Sequence, residues 1–126
     1  MEKIIQNAIK IVDEGEIIYL PSLSRHDFRT YTFKNGESVS VDGGVDYCRR
    51  AYITKDNWLD WSLTEIDNFE TVCHRLLWGT YGKNGDEPLK YLPLCELEKS
   101  HLESILKTQK VGALYEKVIK HLLKHG

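Results

Sequence analysis

The sequence predicts a small α+β protein, an antiparallel β-meander packed against about three to four helices. Three observations lead there. Apolar residues recur at helical spacing near both ends of the chain. An Asn35-Gly36 pair sits between two alternating segments in the middle. No internal repeat, low-complexity tract or linker divides the 126 residues, so one domain over 1–126 is expected.

Each element has its own signal. In residues 1–13, Ile4, Ile5, Ala8, Ile9, Ile11 and Val12 recur at helical spacing, predicting an amphipathic N-terminal helix ended by Asp13-Glu14-Gly15. Residues 16–20 are a β-rich run stopped by Pro21, and they open a meander expected over 16–53. Segments 28–33 and 37–41 flank Lys34-Asn35-Gly36, the strongest short-range hairpin signal. Val39 and Val41 alternate with Ser38 and Ser40, giving one buried face and one wet face. Asp42-Gly43-Gly44 makes a second turn, and 45–53 reads as a third strand.

Residues 56–63, with Trp58 and Trp61, read as an irregular segment or short strand covering the sheet. Thr64 and Asp67 have capping-box spacing, so a helix is expected over 64–78 with Gly79 as its stop. Residues 82–86 form a loop and 89–92 a short strand. Ser100 and Glu103 repeat the capping pattern within C-terminal helices placed at 94–125.

Composition excludes several classes. A net charge of −2 argues against a dedicated duplex nucleic-acid binder. Cys48, Cys73 and Cys95 are an odd, widely spaced set with no CxxC, which fits reduced thiols in a cytosolic protein. No signal peptide or membrane span is expected, since no apolar run approaches roughly 18 residues.

The densest chemistry lies in Ser24-Arg25-His26-Asp27-Phe28 and in Val41-Asp42-Gly43-Gly44-Val45-Asp46-Tyr47-Cys48-Arg49-Arg50. Hairpin pairing would bring both groups to one end of the sheet. His26 titrates near neutral pH, and Asp27 or Asp46 would orient it as a general acid/base in an enzyme. Arg25, Arg49 and Arg50 would grip a phosphate or carboxylate through paired hydrogen bonds. Gly43 and Gly44 would let backbone N–H groups approach an anion, and Asp42 completes the ligand-binding set. The structural alternative is equally concrete. Asp-Gly-Gly is common turn chemistry, and Arg–Asp surface pairs contribute under about 1 kcal/mol.

Other candidates are weaker. Trp58, Trp61, Trp78, Tyr81 and Tyr91 would stack on a base or line an interface, but core and lid roles are favoured, core for Trp78 above all. Gly79, Gly82 and Gly85 lack the strand-to-helix setting of a dinucleotide fingerprint. Cys73-His74 on a helix falls short of the roughly four ligands zinc requires, so neither metal nor cofactor is expected.

The two dense segments resemble the signature of a family of small bacteriophage and prophage proteins, in which a His-Asp-aromatic element precedes VDGG-x-DY-x-RR. Trp78-Gly79-Thr80, Pro88-Leu89-Lys90-Tyr91, His101-Leu102 and Ile105-Leu106 extend the resemblance to about residues 14–110. Relatives carry Cys pairs that look like a zinc ribbon, whereas regions 10–17 and 30–36 here contain no Cys. The resemblance therefore implies a phage setting without the structural zinc, and no particular reaction.

The expected function is that of a phage-type accessory protein acting by binding. It would counteract a host defence protein or sequester a nucleotide or other phosphate-bearing ligand in the cytoplasm of the infected or lysogenic cell. The alternative is a small phosphoesterase or nucleotide-modifying enzyme using the His26–Asp27 pair, and a second alternative is a structural interaction domain. Expected partners are a host protein or a nucleotide-like small molecule, with no membrane. The amphipathic terminal helices would support a homodimer.

Overall fold

The computed structural model describes residues 3–47, 49–52, 56–82 and 85–125, with the side chain of Arg49 left out. Among them, nine strands in antiparallel sheets and three α-helices make an α+β fold with a β-meander, as expected. Cys48 of the motif, Ile53 at the expected end of the third strand and Lys83-Asn84 of the expected loop lie outside the described residues. The chain gathers into two compact units, Met1–Asp67 and Asn68–Gly126, within what the sequence reads as one domain.

The first unit corrects the N-terminal helix. Residues Ile4–Asp13 form a strand, β1, paired antiparallel with β2, Glu16–Ser22. Between them Glu14 and Gly15 both take positive φ, 49° and 87°, the backbone a two-residue hairpin turn requires. The physical reason is burial on both faces. Asn7, Ile9 and Ile11 on one face, and Ala8 on the other, are at most 1 % exposed. A strand covered on both sides loses its alternation and mimics a helical stripe. Its β-branched side chains suit a pleated sheet better than a helix.

Strand β1 also pairs with two later strands. The meander is a separate three-stranded sheet of β3, Arg29–Thr32, β4, Ser38–Asp42, and β5, Arg49–Tyr52, in the order β3-β4-β5. The segment holding Trp58 and Trp61 then contributes β6, Trp58–Asp60, and β7, Leu63–Thr64, both antiparallel to β1. The core joins both sheets: Ile9 and Ile11 pack with Phe33, Val39 and Val41. Each such side chain contributes roughly 1.5–3 kcal/mol by leaving water. At the rim, buried Asp13 accepts from the Tyr31 hydroxyl at 2.7 Å and the Lys34 N–H at 3.0 Å. The bond to Asp13 pushes the Tyr31 phenol up to about 12.

In the second unit the helix expected over 64–78 is shorter. Thr64 is held in β7, with its N–H donating to the Asp67 carboxylate at 2.8 Å. Helix α1, Phe69–Arg75, starts instead at Asn68, whose side chain accepts from Thr71 N at 2.8 Å. Gly79 is no stop but part of β8, Leu77–Thr80, which pairs with β9, Lys90–Pro93. A Cβ on Gly79 would press the Tyr91 ring at 3.0 Å.

A 3₁₀ turn, Leu94–Glu96, leads to α2, Lys99–Thr108, and α3, Ala113–His125. Helix α2 starts one residue before Ser100, with Glu98 at its cap and no side-chain capping bond, so the expected Ser100 cap does not form. Trp78 is half-buried, edge-on to Tyr115 at 5.8 Å, rather than in the core. Among the described residues no helix is long and apolar enough to cross a membrane.

Candidate functional site

The expected site residues sit on two segments, loop 23–28 between β2 and β3 and turn 43–47 between β4 and β5. One hydroxyl holds them together. Buried Ser22, at the end of β2, donates to the Asp27 carbonyl at 2.5 Å and accepts from Gly44 N at 3.0 Å. The segments approach so closely that a Cβ on Gly44, at φ +52°, would overlap the Ser24 backbone. A Cβ on Gly43, at φ +102°, would overlap Tyr47 in the same way. The glycine pair thus makes room for the protein's own chain. The Gly43 carbonyl accepts from Asp46 N at 3.0 Å and Tyr47 N at 3.3 Å, closing the turn.

Asp27 faces inward along its own loop. Its carboxylate accepts from Leu23 N at 2.8 Å and lies 2.9 Å from Arg29 Nε. Burial pulls this carboxyl upward, but the Leu23 N–H and the Arg29 guanidinium outweigh it and hold it below its ordinary range. Among the described residues the His26 imidazole makes none of the site's hydrogen bonds. The expected His26–Asp27 hydrogen bond is not formed, and the Asp27 carboxylate is bonded to Leu23 and Arg29 instead. Arg25, His26 and Asp46 are exposed.

Arg50 is the surprise of the motif. Its guanidinium points into the sheet, donating to Asn7 Oδ1 at 2.7 Å, Ser62 Oγ at 2.8 Å, and the Ala8 carbonyl and Asp60 Oδ1 at 3.2 Å each. Asn7 completes the knot: its amide donates to the carbonyls of Asp42 at 2.7 Å and Tyr47 at 3.2 Å. Burial pulls the Asp60 carboxyl up, while Ser62 and Arg50 prevail and lower it. Arg49 pairs with Asp42 across β4 and β5, and Asp42 contributes its backbone carbonyl to the knot.

Sequence reasoning missed Asn7, Ser22, Asp60 and Ser62. Asn7 had a signal, since an amide on the strand face that also carries Ile5, Ile9 and Ile11 needs a buried polar partner. Reading that segment as a helix concealed it.

The structure therefore brings the two segments together, but turns Asp27, Arg50, Gly43 and Gly44 toward the protein itself. What faces outward is different. Leu23, Phe28 and Val45 are 57 %, 62 % and 52 % exposed on these two touching segments, beside Arg25, His26 and Asp46. Elsewhere, a hollow of about 470 Å³ is lined by residues including Thr80, Lys90, Glu96 and His101. No protein-family model, curated protein or solved structure matches the chain.

Proposed function

We propose that this protein acts by binding another protein through loop 23–28 and turn 43–47, as a phage-type accessory protein that counteracts a host protein. The observation carrying this reading is the outward display of Leu23, Phe28 and Val45 on two segments pinned by Ser22. Apolar side chains of this size cost solubility when left in water, and exposed apolar residues beside charged ones on two joined segments suit a protein-docking surface. Pinning lowers the ordering cost of association. The phage setting rests on the sequence resemblance alone.

Binding is favoured over catalysis and over anion capture because Asp27, Gly44 and Arg50, which those readings use, are engaged by the protein itself. Among the described side chains of that set only Arg25, His26 and Asp46 stay exposed. The Asp27 carboxylate serves Leu23 and Arg29, and the Gly44 N–H serves Ser22. The test is a partner isolated from host lysate, purified and titrated by calorimetry against wild type and Phe28→Ser, with inorganic phosphate and nucleotides titrated in parallel. Loss of an anchoring aromatic residue weakens binding by about 2 kcal/mol, roughly thirtyfold. Equal affinity for the variant, or saturable binding of a nucleotide alone, would overturn the reading.

A further inference from the structure

The second unit holds a different cluster. Phe69 and Cys73 of α1, Cys95 of the 3₁₀ turn, and His121, Leu122 and His125 of α3 line a cavity of about 470 Å³. Cys73 is buried and Cys95 exposed. The Cys95 thiol points back toward α1, its Sγ 3.7 Å from the carbonyl of His74, the residue next to Cys73. A backbone bond from Leu94 N to Leu76 O, at 2.9 Å, ties the two segments together. One thiol meets solvent, and the other is buried on a joined element and lines the same cavity.

We propose that Cys95 and Cys73 form a thiol–disulfide modification site, in which Cys95 takes a small disulfide of the glutathione class and Cys73 resolves it. In the first step the Cys95 thiolate attacks one sulfur of the disulfide. A mixed disulfide forms, and one small thiolate leaves and takes up a proton. In the second, the Cys73 thiolate attacks Cys95 Sγ, the Cys73–Cys95 bond forms, and the second small thiol leaves. Two protein thiols are oxidised and one disulfide is reduced to two thiols. His121 and His125 line the same cavity. Burial raises both thiols above their ordinary range, so the exchange should quicken as pH rises and the thiolate fraction grows. Joining the two residues would lock α1 to the 3₁₀ turn.

The test equilibrates the folded chain with oxidised and reduced glutathione and maps its peptides by mass spectrometry, alongside Cys48→Ser to remove the third thiol. The expected result is loss of two of the three thiols and a peptide pair linking residues 73 and 95. Cys73→Ala should accumulate a Cys95–glutathione adduct, and Cys95→Ser should leave Cys73 free. Both thiols remaining free, a lasting Cys95 adduct in the wild-type chain, or linkage through Cys48 would each overturn the proposal. The wild-type map decides even where a variant fails to fold.

Discussion

Asn7 and Arg50 show how one buried amide can set the meaning of a motif. The Asn7 side chain spends its acceptor on the Arg50 guanidinium and its donors on the Asp42 and Tyr47 carbonyls. Asn7→Ala removes all three bonds and leaves buried polar groups short of partners. A loss of about 2–4 kcal/mol in urea unfolding is expected, and a change within 0.5 kcal/mol would show the knot to be incidental. Asp27 makes a prediction in pH. Its folded carboxyl is held below the unfolded value of about 3.9, so its contribution is full above that value. The contribution is lost as pH falls through the lower folded value. Asp27→Asn should therefore flatten the acid limb of the stability profile and leave its slope near neutrality unchanged.

At the scale of elements, legibility followed how each segment is covered. The meander was readable because Asn35-Gly36 marks its turn, whereas the wet face expected from Ser38 and Ser40 is overturned at Ser40, which is buried. The C-terminal helices were readable because their apolar stripes face one way. Strand β1 was not, since cover on both faces erased its alternation, and the strand β7 that holds Thr64 was invisible without knowing that β1 was there to pair with it. The candidate site was legible as a place: the two motif segments do meet. Their roles were not legible, because whether Arg50 reaches solvent or Asn7 depends on pairing 43 residues apart in the chain. The β1–β2 turn carries its own prediction. Glu14 occupies a left-handed position that Asn accepts at lower cost. Glu14→Asn should raise stability by about 0.5–1 kcal/mol, measured by urea unfolding, and a decrease would mean that the Glu14 side chain contributes more than its backbone strain removes.

For the molecule as a whole, the question is how much of the chain the proposed binding surface needs. Every group that shapes it lies within Met1–Asp67: Ser22, the glycine pair, and the Asn7–Arg50 knot. That unit has its own apolar core in Ile9, Ile11, Phe33, Val39 and Val41, and strand pairing fixes its register on both sides of β1. Chains near 60 residues are marginal, burying only about 60 % of the surface exposed when unfolded. The polar knot then matters more, because it specifies register where the core is small. Residues 1–67 expressed alone should give a strand-rich circular dichroism spectrum and a cooperative but lower melting transition than the full chain. The same fragment carrying Asn7→Ala should lose that transition altogether. A fragment that melts without cooperativity while the full chain melts sharply would show that the site depends on residues 68–126.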